Sequence, residues 1–89
     1  MQPTHASVLE SFAECDAIGE DGFVEKYAGG RRPKSHYIIH EGKHYPLKAI
    51  WAAAHRPTIV TREFDTDKAR RGFAALGFDG FWPKRNPPN

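Results

Sequence analysis

Apolar residues recur along this chain at two spacings, and the switches between them mark its elements. Thr4 is a suitable N-cap for a helix running to about Ala17, with Val8, Leu9 and Phe12 as its apolar stripe and Ala13 or Cys15 beside them. Gly19 suits the exit of that helix. Glu20 and Asp21 open a second short helix, where acids meet the positive end of the dipole, and Phe23, Val24 and Tyr27 share one face. Gly29-Gly30-Arg31-Arg32-Pro33-Lys34-Ser35 interrupts the pattern as a basic loop. The spacing then shortens. His36-Tyr37-Ile38-Ile39-His40, Glu41-Gly42 and Lys43-His44-Tyr45 predict a β-hairpin, and a two-residue turn at Glu41-Gly42 sets Ile39 opposite His44 and Ile38 opposite Tyr45. Glu is a poorer first turn residue than Asn or Asp, so a longer loop stays open.

Helical spacing returns after Pro46, which can sit in a first turn where its missing N–H is not needed. Leu47, Ile50, Trp51 and Ala54 follow the i, i+3, i+4, i+7 template, Lys48 falls off that stripe, and Pro57 stops the helix. Thr58 to Phe64 reads as extended or irregular. Asp65 or Thr66 caps a last helix running to Leu76, with Ala69, Phe73 and Leu76 inward and Gly77 as its stop. Phe78 to Trp82 predicts a short third strand, weakened by Gly80. The expected fold is therefore α+β, in the order helix, helix, β-hairpin, helix, helix, short strand, with a small antiparallel sheet packed against helices. Residues 1–82 form one domain in this reading, and 83–89 a flexible, basic, Pro-rich tail.

Composition narrows the picture. A chain of 89 residues buries only about two thirds of its unfolded surface, so six Phe, three Tyr and two Trp must supply a compact aromatic core. One cysteine, Cys15, excludes an internal disulfide and a multi-thiolate zinc site, and it has no basic neighbour in sequence to activate it. The longest apolar run, Ala49 to Ala54, is far too short for a bilayer, and no secretory signal is visible, so no membrane is expected and the cytoplasm is the expected location. No phosphate-binding glycine motif, nucleophile motif or His-Glu-x-x-His pattern is present, so neither an enzyme nor a cofactor is expected.

Charge adds a direction. The formal net charge is +2, but residues 1–27 hold six acids and one base, whereas residues 28–89 hold twelve Lys or Arg and five acids. Such a molecule can turn a positive face to a polyanion, or its two ends can attract each other within the fold. The candidate contacts follow from the cations. Lys48 sits near a helix start, where free N–H groups and the dipole favour an anion; alternatively its stem covers Tyr45 or Trp51. Arg31, Arg32 and Lys34 can grip a phosphate backbone or remain a solvated connector. Arg70 and Arg71, with Lys68 and Arg62, form a second basic group, and the hairpin adds Lys43 and His44. His36, His40, His44 and Glu41 make a poor zinc set, because His36 and His40 lie about 13 Å apart along a strand. Phe81 and Trp82 either stack exposed bases or pack as core or lid.

The run from His36 to Ile50 carries an aromatic, an aliphatic pair, His, acid, Gly, base, then Tyr-x-x-Lys-Ala-aliphatic. Upstream stand Phe-x-x-x-Asp-x-x-Gly (Phe12 to Gly19) and Phe23-Val24-Glu25-Lys26-Tyr27; downstream stand Glu63-Phe64 and Leu76-Gly77-Phe78. This ordered set, over about residues 8–82, resembles the N-terminal head domain of ScoMcrA-like (McrA-type) modification-dependent HNH restriction endonucleases of prokaryotes. The paired His and Asn metal motif of the HNH nuclease is absent from the chain, so the resemblance does not extend to cleavage. It implies an accessory role in nucleic-acid processing or phage defence. The leading expectation is a non-catalytic module that binds DNA, duplex in the first instance, through phosphate contacts by Lys48, Arg31, Arg32, Lys34, Lys43, His44, Arg70 and Arg71. The alternatives are docking of a nuclease or defence protein by the acidic helices or a sheet edge, and a small-anion or nucleotide sensor at Leu47-Lys48.

Overall fold

The computed structural model describes residues 3–28, 36–55, 59, 64–78 and 80–82. Its elements are α1 (His5–Ile18), α2 (Glu20–Ala28), β1 (Tyr37–His40), β2 (Lys43–Pro46), α3 (Leu47–Ala54), α4 (Thr66–Ala75) and β3 (Phe81–Trp82). The three strands form one antiparallel sheet in the order β2-β1-β3. This is the α+β order that the hydrophobic spacing predicts.

Local chemistry explains the boundaries. Thr4 is extended and caps α1 reciprocally: the Ser7 N–H donates to Thr4 Oγ1 at 3.0 Å and the Thr4 N–H donates to Ser7 Oγ at 2.9 Å. Gly19 alone separates α1 from α2. Its φ of +85° suits a residue without Cβ; its N–H donates to the Cys15 carbonyl and its own carbonyl accepts from the Phe23 N–H. In the hairpin, Glu41 (φ +50°) and Gly42 (φ +80°) are both left-handed, which matches the twist of a two-residue turn. The register is Ile38 with Tyr45 and Ile39 with His44. Asp65 caps α4 by accepting from the Lys68 N–H at 2.7 Å. Pro46 ends the hairpin, as expected, by closing β2, but it serves as N-cap of α3, one position before the first helical turn.

The core centres on α3, which packs against α1, α2 and α4 and touches both hairpin strands. All its residues except Lys48 are buried, so the predicted one-sided stripe is a helix dry nearly all round. Alanines at 49, 52, 53 and 54 let those neighbours approach closely. Leu9 departs from its expected place in the core and is 38% exposed. The inward face of α1 is Ser7, Val8, Ser11, Phe12 and Cys15, and Leu9 lies roughly a third of a turn from its centre. Ser11 is tolerated there because its hydroxyl donates to the Ser7 carbonyl at 2.9 Å.

Two glycines mark close approaches. A Cβ at Gly72 on α4 would stand 2.2 Å from the Trp51 ring, so this glycine lets α4 settle onto α3. A Cβ at Gly80 would stand 2.7 Å from the Ile39 carbonyl oxygen, while the Ile39 N–H donates to the Gly80 carbonyl at 2.7 Å. The residue that weakens β3 as a sequence pattern is thus the one that lets its backbone reach β1.

Candidate functional site

Four of the six described lysines and arginines fall into two kinds. The first kind spends its charge on α1. Glu14 and Asp16 are two residues apart and therefore point to different sides of the helix. Glu14 turns to α2, where Lys26 Nζ lies 2.6 Å away and the Tyr27 hydroxyl donates at 2.7 Å. Asp16 turns to β2, where Lys43 Nζ lies 3.1 Å away and the Tyr45 hydroxyl donates at 3.0 Å. The hydrogen bond from Lys43, ahead of the one from Tyr45, holds the Asp16 carboxyl below the usual carboxylate range. Burial, then the Asp16 carboxylate, pushes the Tyr45 phenol up to about 12. The charge asymmetry of the sequence is thus partly consumed inside the fold. Lys43, a candidate contact, already has an acid partner.

The second kind rests on aromatic rings. Lys48 is half-buried in the first turn of α3, with Nζ 5.5 Å from the centroid of Phe64, rather than over Tyr45 or Trp51. Phe64 immediately precedes the cap of α4 and is itself buried. Arg70, half-buried on α4, holds its guanidinium carbon 5.9 Å from the centroid of Phe81. No carboxylate of the described residues lies within ion-pair distance of Lys48 or Arg70. Lys68 and Arg71 are exposed on the same helix. A cation over an aromatic face is held in place while keeping its full charge.

The candidates are therefore not gathered on one face. Lys43 and the exposed His44 belong to β2, at one edge of the sheet, while Arg70 lies over β3 at the opposite edge. Lys48, Arg70 and Arg71 share the packed pair α3 and α4. Arg31, Arg32 and Lys34, like Arg62 of the second basic group, lie outside the described residues. Phe81 is half-buried beneath Arg70 and packs on Phe73, and Trp51 is core. His40 stacks on Phe12 with centroids 4.6 Å apart, and His44 stands edge-on to Tyr37. Among the described residues no three His, Cys, Asp or Glu side chains converge as a metal site. Cys15 is buried, and burial followed by the charges of Asp16, Glu20 and Glu14 pushes its thiol up to about 11. No described helix is long and apolar enough to cross a membrane.

The two Tyr-carboxylate-Lys clusters escape a sequence reading because their members are 12 to 29 residues apart. The one local sign is two acids at i and i+2 on a helix whose inward face is already assigned. Phe64 beneath Lys48 has no sequence sign at all.

Comparison with known proteins places these features in context. The family described as "ScoMcrA-like, N-terminal head domain" matches residues 2–81. A solved structure titled as the Type IV phosphorothioation-dependent restriction endonuclease ScoMcrA is similar, with a TM-score of 0.66 and 29% sequence identity. That similarity covers 100% of this chain and 14% of the endonuclease. No curated protein matches.

Proposed function

The chain belongs to the family of ScoMcrA-like N-terminal head domains, and on that premise we propose that it is a non-catalytic DNA-binding accessory element of restriction, linked to phage defence. Its contacts are to the phosphate backbone. The observation that carries this reading is the pair Lys48 and Arg70, each held over an aromatic ring with no acid among the described residues within ion-pair distance. Arg71, exposed on the same helix, and the cations Arg31, Arg32 and Lys34 are further contacts. Lys43 and His44 contribute only if Lys43 exchanges Asp16 for a phosphate. The relative is a restriction endonuclease, and DNA is the polyanion such a protein meets. The matched region is a head domain, which supports a role in binding rather than in cleavage.

Fluorescence titration of labelled duplex at two salt concentrations tests the proposal. Three to five phosphate contacts, an order-of-magnitude figure, make affinity fall as about the third to fifth power of salt. Binding absent at low salt, or indifferent to salt, refutes it.

A second reading has its own observation. Leu9 and Ile18, 38% and 46% exposed on opposite sides of the acidic helix α1, are two separate apolar contacts for a nuclease or defence protein. Substituting Leu9 and Ile18 by Ser would then abolish partner capture and leave duplex affinity unchanged.

A further inference from the structure

Arg70 carries more than an uncompensated charge. Its Nε and Nη2 atoms are both buried and have no hydrogen-bond partner. These two nitrogens form one edge of the guanidinium, from which two N–H bonds project side by side. That edge is the one that takes two oxygens of a single carboxylate or phosphate. The guanidinium carbon lies 5.9 Å from the centroid of the Phe81 ring. Phe81 is itself fixed, paired through its backbone with Ile38 and packed on Phe73. Arg70 is carried by a helix whose buried Ala69 and Phe73 anchor it to the core.

We infer that the Nε–Nη2 edge of Arg70 is a two-point receptor for a phosphate group, and that this makes Arg70 the geometrically specific contact of the DNA surface proposed above. The inference rests on that DNA reading for the source of the phosphate. Buried donors of a charged group are ordinarily matched by an acceptor, and the described residues supply none. The group that fits this edge is a pair of coplanar, negatively charged oxygens. Phosphate is favoured over a protein carboxylate by the local charge: Lys68 and Arg71 stand exposed on the same helix and add positive potential that fits a polyanion. Because the two donors are shielded, phosphate entry requires the guanidinium to shift across the Phe81 ring. A lysine at this position would keep the charge and lose the two-point geometry.

Side-chain NMR of arginine Nε–H groups reads the edge directly. The wild-type protein is titrated with inorganic phosphate, with sodium acetate and with a short DNA duplex. The Arg70 signal, assigned by its loss in R70K, is expected to move with phosphate and with duplex, and less with acetate. R70K is expected to bind duplex about tenfold more weakly with an unchanged salt slope, since it loses one charge-assisted hydrogen bond and keeps the charge. R70A is expected to lower the salt slope by about one as well. An Arg70 signal unmoved by phosphate, a larger response to acetate, or R70K binding duplex as tightly as wild type overturns the inference. Failure of wild type to bind duplex while phosphate still moves the Arg70 signal sinks the DNA reading alone. Thermal melting of both variants shows whether any loss comes from unfolding.

Discussion

The two sides of this small molecule treat their lysines and arginines in opposite ways. Along α1, Glu14 and Asp16 each gather one lysine and one tyrosine, so Lys26 and Lys43 become struts between helix, helix and hairpin. Across α3, α4 and β3, Lys48 and Arg70 are positioned by Phe64 and Phe81 and retain their charge. Counting cations therefore misjudges the basic surface. A carboxylate and an aromatic ring can both immobilise a cation, but only the ring leaves it available to a second anion.

Charge reversal gives this contrast its largest expected effect. The double variant K48E/R70E should weaken duplex binding on the order of a hundredfold at low salt, because two attractive phosphate contacts become repulsive. K26E, which reverses a lysine already committed to Glu14, should leave duplex affinity within about twofold, since a distant exposed charge is largely screened. Titration of both variants with the same duplex decides the matter. Equal losses would mean that the protein is read as a diffuse charge and that the aromatic supports are incidental.

Packing beneath the basic side gives the next effect. The α4 helix lies close enough to α3 that Gly72 meets the Trp51 ring. G72A should cost up to about 2 kcal/mol, the overpacking penalty of about 1–3 kcal/mol less the better helix propensity of alanine at about 1 kcal/mol. For a domain of this size that lowers Tm by up to roughly 16 °C. The Lys26 and Lys43 struts lie elsewhere, so side-chain amine NMR should report them unchanged while the Arg70 signal moves. A variant that melts like wild type would mean the Trp51 ring has room to turn.

How much of this the sequence reveals depends on the range of the interaction. Helix caps, the Glu41-Gly42 turn and the hairpin register are local, set by residues within a few positions, and all three are legible from spacing and turn chemistry. Leu9 is misplaced because an apolar residue next to Val8 is read into the stripe, whereas the true inward face also includes Ser7 and Ser11. Helix α3 is read as one-sided because its alanines carry little periodic signal, although the surrounding elements bury them all. The site residues are legible as types and not as a site. Lys48, Arg70 and Lys43 have the same chemistry in sequence, and only contacts over long separations divide them: Asp16 for Lys43, Phe64 for Lys48, Phe81 for Arg70. Arg31, Arg32 and Lys34 rest on sequence alone.

The α1 struts are sharpened by removing one hydroxyl. Y45F deletes a part-buried hydrogen bond to Asp16 while leaving Lys43 in place, and should cost about 0.5–1.5 kcal/mol by thermal melting. The pH dependence carries its own sign. The Tyr45 phenol is raised from 10.0 to about 12 in the fold, so its contribution to stability is fully present below pH 10 and is lost as pH rises from 10 through 12. Y45F should therefore melt more like wild type at pH 12 than at pH 8. Equal differences at both pH values would show that the hydroxyl does not sense the carboxylate.

Asp16 gives the smallest effect and the finest test of the division. Its carboxyl is held below its ordinary value of 3.8, first by the hydrogen bond from Lys43. A depressed carboxylate stabilises the fold above its unfolded pKa, and that contribution fades as pH falls through the lower folded value. The melting difference between wild type and D16N should thus be constant near neutrality, shrink as pH falls through the lowered folded pKa of Asp16, and vanish once that carboxyl is protonated. The group is exposed, so the difference near neutrality should be small. D16N also frees the Lys43 ammonium without moving it from β2. If β2 lies off the DNA surface, duplex affinity changes only by the added long-range charge, and the change disappears at high salt. A gain in affinity that persists at high salt would place the hairpin edge within the contact surface, and the acid would then be a mask over that part of it rather than only a strut.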